Sequence, residues 1–185
     1  MKSNKKILFL AQGALIAALY VVLTYLANLL GIANGVIQVR FSEALTILPF
    51  FTPAAIPGLT IGCLLANILT GCALPDIIFG TLATLIGAVG TWAIAKALRK
   101  NKAAAWLSPL PPIIANAIIV PLLLLYAYGV GPLWFSFITV TAGEVVSCGL
   151  LGMLLLFALR GNANIFRMDE SDRYVKKATG TGQIK

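Results

Sequence analysis

The sequence predicts an all-α membrane protein with six transmembrane helices and with its N- and C-termini in the cytoplasm. Composition is the first reason: 59% of the 185 residues are hydrophobic and 11% are charged, where a soluble domain carries roughly a quarter charged residues. Mean hydropathy is +0.94. Segmentation is the second, because five polar or Gly/Pro-rich breaks cut the chain into apolar runs, most of them near the roughly 20 residues that cross a bilayer. Charge placement is the third: every basic residue except Arg40 falls on one face of the membrane once six spans are drawn, as the positive-inside rule requires.

Taken in order, the first helix covers 7 to 30 and follows Lys2, Lys5 and Lys6. It is longer than a signal-peptide core and is followed by more apolar segments, so it reads as a retained helix. Gly31 to Gly35 ends it. The second segment, 37 to 50, reaches only about 20 Å at 1.5 Å per residue, less than the hydrocarbon thickness. Pro49, Pro53 and Pro57 turn the chain into a third helix over 54 to 70. GCALPD at 71 to 76 leads into 77 to 98, the basic KALRKNK at 96 to 102 separates that helix from 109 to 128, and YGVGP at 128 to 132 precedes the last, 133 to 159. Merging the second and third segments would give five spans. The N-terminal lysines and the group Lys96, Arg99, Lys100 and Lys102 would then face opposite sides, against the positive-inside rule. The domain plan is therefore a membrane domain over 1–160 and a polar cytoplasmic tail over 161–185.

Several function classes fall away. The net charge of +8 is explained by helix orientation, so no nucleic-acid partner is expected. The chain has no histidine, which removes the commonest metal ligand and the usual near-neutral acid or base. Cys63, Cys72 and Cys148 lie in or beside apolar stretches without CxxC spacing and read as small hydrophobes. There is no phosphate-binding GxxxxGK[ST] loop, so the chain is not itself a P-loop ATPase. Asp76 is the single aspartate near a membrane segment, so an aspartyl dyad is unavailable. The expectation is a protein that is not an enzyme, with no metal and no cofactor. No internal repeat suggests the inverted halves of a secondary transporter.

What remains in the membrane is acidic. Arg40, Glu43, Asp76 and Glu144 map to the outer half, and an ionisable group at membrane depth normally faces a cavity or a partner. Each has a structural alternative. Glu144 can be a carboxyl that holds helices together. Arg40 and Glu43 are three residues apart and can pair on one helical face, and Asp76 after Pro75 can cap a helix. Their convergence from three separated segments favours a site. Polar stripes join them at helical spacing: Tyr20, Thr24 and Asn28; Thr60, Cys63, Asn67 and Thr70; Thr141, Glu144 and Cys148. Such stripes also serve simply to pack helices. Tyr126, Tyr128 and Trp134 flank the turn before the last helix, as an interfacial aromatic belt or as a stacking lid. One cation and three carboxylates suit a ligand with positive charge or several N–H donors, such as a planar nitrogen heterocycle bearing an amino group. On the first helix Ala14 and Ala18 form a small-residue strip that a neighbouring helix can approach closely.

The run IQVRFSEALTILPFFTPAAIPGLTIGCLLANILTG followed by PDIIFGTLATLIG, with the six-helix plan and the small-residue strip, resembles the QueT family of substrate-binding S components of energy-coupling factor (ECF) transporters. The likeness covers about residues 5 to 160 and is most specific over 37 to 87. It implies a plasma-membrane subunit that captures a queuosine precursor from outside, a 7-deazaguanine or the queuine base. It also implies a transmembrane T component that docks on the strip at Ala14 and Ala18, and two ATPases. A 7-aminomethyl-7-deazaguanine would offer its guanine edge to Glu144 or Glu43 and its ammonium to Asp76, with Asn67 and Arg40 on the carbonyl and Trp134 or a tyrosine on the ring. An S component for another vitamin-like ligand, a solitary ion-coupled carrier and a ligand-free structural subunit are the alternatives.

Overall fold

The computed structural model describes residues 2–31, 40–98 and 103–160. Arg99, Lys100 and Lys102, the Gly35 end of the first break and the tail over 161–185 lie outside the described residues. Every regular element among the described residues is helical.

α1 (Lys2–Leu29) is the first long helix, and it stops where Gly31 takes the left-handed conformation, φ 71°, that L side chains avoid. The next segment is a 3₁₀ helix, Phe41–Phe50, rather than the α-helix the sequence suggested. Ten residues are long for this form, whose geometry is poorer than that of the α-helix. Burial holds it: Ser42, Glu43, Leu45, Thr46, Ile47, Leu48 and Pro49 are all inside. It packs against α1 and against later helices, so it sits in the core of the protein and does not face lipid. Its three-residue repeat sets Glu43, Thr46 and Pro49 on one edge.

α2 (Ala55–Leu69) follows, its entry fixed by Thr52, whose hydroxyl accepts from the Ala54 amide at 3.3 Å and donates to Gln12 Oε1 at 3.0 Å. α2 lies close on α1. A Cβ added at Gly62 would come within 2.8 Å of Tyr20 Cβ, and one at Gly58 within 2.7 Å of the Gly13 carbonyl oxygen, so only glycine permits this approach. The fourth segment starts as a π-helical turn, Asp76–Gly80, and continues as α3 (Thr81–Ala97). α4 (Ala103–Leu107) is a short addition before α5 (Leu110–Tyr128), with the break falling at Ser108 and Pro109. The last segment is α6 (Leu133–Glu144), a π-helical stretch (Val145–Leu151) and α7 (Gly152–Arg160) on one continuous path.

Four of these helices, Lys5–Leu29, Asp76–Ala97, Ala103–Tyr128 and Leu133–Arg160, are long and apolar enough to cross a membrane. Phe41–Phe50 and Ala55–Leu69 are shorter apolar helices. Only 22% to 33% of each long helix's apolar stretch is buried inside the protein, so most of that surface needs an apolar surrounding. Leu10, Leu29, Leu69 and Leu154 are each at least 60% exposed. The packed centre is Ile16, Tyr20, Leu45, Leu48, Leu59 and Cys63, with Ile47 and Leu156 beside it.

Candidate functional site

The polar interior is assembled from four elements. The 3₁₀ helix carries Glu43, α1 carries Tyr20, the end of α6 carries Glu144, and the π-helical stretch that starts at the next residue carries Ser147 and Cys148. A π turn widens the helix by one residue and is frequent at functional sites; here it follows Glu144 directly.

Glu43 is 2% exposed and Glu144 7%. Tyr20 Oη donates to Glu43 Oε1 at 2.5 Å, a length typical of a hydroxyl on a carboxylate. Cys148 Sγ lies 3.2 Å from Glu144 Oε2 and 3.4 Å from the Glu43 carbonyl oxygen, and can donate to either. Thr46 Oγ1 donates to that same carbonyl at 2.6 Å. One carboxylate oxygen from each glutamate and Cys148 Sγ lie within 4.8 Å of one another. The Asn116 side chain on α5 faces both carboxylates, yet its Nδ2 completes a hydrogen bond with neither, and Glu43 Oε2 likewise has no hydrogen-bond partner.

Arg40 stands just before the 3₁₀ helix and attracts both carboxylates through its field. Its backbone N–H donates to Ser147 Oγ at 3.2 Å. The pairing of Arg40 with Glu43 that their spacing allows, the structural alternative to a site, is not made among the described residues: Arg40 is outside the helix and Glu43 bonds Tyr20.

Asp76 forms a second group. Its carboxylate accepts from the Tyr128 hydroxyl at the far end of α5, and it does not cap the helix it opens. Asn67 ties the two regions together: its Nδ2 donates to the Asp76 carbonyl oxygen at 3.3 Å and to Cys63 Sγ at 3.6 Å. Cys63 in turn lies in the central core with Tyr20. Trp134 is 64% exposed, and its ring meets Phe135 edge-on at 5.9 Å. The structure thus brings Glu43 and Glu144 together with Arg40 near, places Asn67 against Asp76, and leaves Trp134 at the surface.

Tyr20 and Cys148 belong to polar stripes visible in the sequence, but nothing in the stripes singled them out. Asn116 was missed altogether. Its signal was available: it is the only amide in α5, where the other hydrogen-bonding side chains are Tyr126 and Tyr128 at the end, and a buried amide in an apolar helix needs a partner. Ala14 and Ala18 are exposed and line an open groove of about 680 Å³ between α1 and α2, with Gly58 and Ile61 opposite. By atom type Glu43, Glu144 and Cys148 could ligate a divalent cation.

Long apolar helices wrapped round a buried acidic cluster define a multi-pass membrane protein with a polar interior. The chain belongs to the QueT transporter family, whose model matches residues 10–161. It is also 44% identical over 73 residues to the "Queuosine precursor transporter QueT" of Lactococcus lactis subsp. cremoris. That alignment covers 40% of this chain and 43% of the relative, so less than half of the relative's length is matched. No solved structure matches.

Proposed function

We propose that this chain is the substrate-binding S component of an ECF transporter, capturing a 7-deazaguanine precursor of queuosine outside the cell for ATP-driven import. In this reading six segments span the plasma membrane with both termini cytoplasmic, Phe41–Phe50 and Ala55–Leu69 forming the two short ones. The placement of all basic residues but Arg40 on one face supports that orientation.

One observation carries the reading: two buried carboxylates, Glu43 and Glu144, share a site in which Glu43 Oε2 has no hydrogen-bond partner. A buried acceptor without a donor is costly, and a guanine edge supplies N–H groups at the right separation for a carboxylate. A name given to a relative that matches part of the chain agrees with such a ligand. Asp76, already the acceptor for Tyr128, takes the ligand's ammonium. Arg40 offsets the charge of the two glutamates, and Trp134 offers a stacking face.

Energy for import comes from partner subunits, since the sequence holds no phosphate-binding loop. Ala14 and Ala18, exposed along α1, form the docking strip for the T component. The test is uptake of radiolabelled 7-aminomethyl-7-deazaguanine into proteoliposomes. Uptake that needs ATP, the T component and the ATPases supports the assignment; uptake by this chain alone overturns it in favour of a solitary carrier.

A further inference from the structure

Within the buried cluster nearly every polar atom is spent. The Tyr20 hydroxyl is on Glu43 Oε1, the Thr46 hydroxyl is on the Glu43 carbonyl, and Cys148 Sγ lies against that carbonyl and Glu144 Oε2. Besides Thr141 Oγ1, one turn before Glu144, two buried atoms here have no hydrogen-bond partner: the acceptor Glu43 Oε2 and the donor Asn116 Nδ2, on side chains 2% and 5% exposed. Their chemistry is complementary. A group that satisfies both must donate to the first and accept from the second, which is what adjacent N–H and C=O of a lactam do.

Other occupants fit less well. A metal cation would satisfy the carboxylate but would meet the positive end of the Asn116 amide. A simple anion would be repelled by Glu43. The reverse orientation of that amide is disfavoured, because it would turn a carbonyl oxygen toward two carboxylates. Asn116 could instead rotate to give its two hydrogens to the two carboxylates it faces, a purely structural role that the variant below separates from ligand reading.

Taking the chain as the binding unit for a 7-deazaguanine, we infer that Asn116 is the specificity-determining residue that reads the 6-carbonyl of the ligand while Glu43 Oε2 takes the adjacent N1–H. This replaces Asn67 in that role, since both partners of Asn67 Nδ2 are within the protein, at Cys63 and Asp76. It also frees Arg40, whose position before the 3₁₀ helix suits a field effect on the carboxylates rather than a contact with the ring. A site built this way selects an oxo purine over one with a weaker acceptor at the same place, because the Asn116 donor is then stranded in the interior.

The experiment is calorimetric titration of the purified full chain in detergent with 7-aminomethyl-7-deazaguanine and with its 6-thioxo analogue, which keeps N1–H but accepts hydrogen bonds poorly. The unsubstituted chain is expected to prefer the oxo ligand by about 10- to 100-fold. Asn116→Leu is expected to reduce that preference by at least about tenfold, chiefly by weakening the oxo ligand. If Asn116→Leu does not fold, Asn116→Ala is read in the same way. Equal affinity of the unsubstituted chain for the two ligands overturns the assignment, as does a variant that weakens both ligands equally, the mark of a purely structural amide. Failure of the unsubstituted chain to bind either ligand overturns the transport reading itself and the assignment with it.

Discussion

Replacing Tyr20 by phenylalanine isolates the bond that fixes the Glu43 carboxylate. Tyr20 is 2% exposed and its hydroxyl donates to Glu43 Oε1 at 2.5 Å. Tyr20→Phe keeps the ring and its contacts in the core, so the apolar burial term barely changes. What is lost is a hydrogen bond to a carboxylate, about 1.5–3 kcal/mol net. Glu43 would then have neither oxygen bonded, since Oε2 already has no partner. We therefore expect a stability loss of about 2–3 kcal/mol, read from reversible denaturation of the detergent-solubilised chain. Made in a Glu43→Gln background, the same change should cost only about 1 kcal/mol, the value of a neutral hydrogen bond. The difference is a coupling of about 1–2 kcal/mol in a double-mutant cycle. Equal costs in the two backgrounds would refute the claim that Tyr20 acts on stability through Glu43.

Other positions are expected to separate packing from function. Gly62→Ala places a Cβ 2.8 Å from Tyr20 Cβ and 3.0 Å from Ala17 Cα, so overpacking should cost about 1–3 kcal/mol; an unchanged melting temperature would contradict the close approach of α1 and α2. Ala18→Leu lies on an exposed face and should leave stability within about 0.5 kcal/mol and ligand affinity unchanged, yet abolish partner-dependent uptake. Normal uptake would remove that face as the docking strip. Asp76→Asn should weaken 7-aminomethyl-7-deazaguanine by about 10- to 100-fold while leaving 7-deazaguanine itself nearly unaffected, and an equal effect on both would place the ammonium elsewhere.

Much of the architecture was legible in the sequence because the breaks are chemically explicit. Pro75 and the residues before it place the start of the fourth segment at Asp76, one residue from the expected 77, and Gly129, φ 65°, stops α5 where YGVGP begins. The type of helix was not legible. A 3₁₀ form over Phe41–Phe50 and the π turns at Asp76 and after Glu144 are choices imposed by packing around a chain segment, and apolar periodicity does not encode them over such short lengths. At the site, Glu43 and Glu144 were legible because carboxylates are costly in an apolar chain. Asn116 was not, since an isolated amide makes no stripe, and its importance emerges only when α5 is folded against the two glutamates. Asp76 was placed at a helix start correctly, but its carboxylate turns to Tyr128, 52 residues away in the chain, and no local spacing reveals such a contact.

The central claim is that the Glu43 and Glu144 pair is where a 7-deazaguanine binds. Equilibrium binding of radiolabelled 7-aminomethyl-7-deazaguanine to the purified chain and to its Glu43→Gln and Glu144→Gln variants tests it most directly. Saturable binding by the unsubstituted chain, weakened by about tenfold or more in each folded variant, is the predicted result. Undiminished affinity in both variants would contradict it.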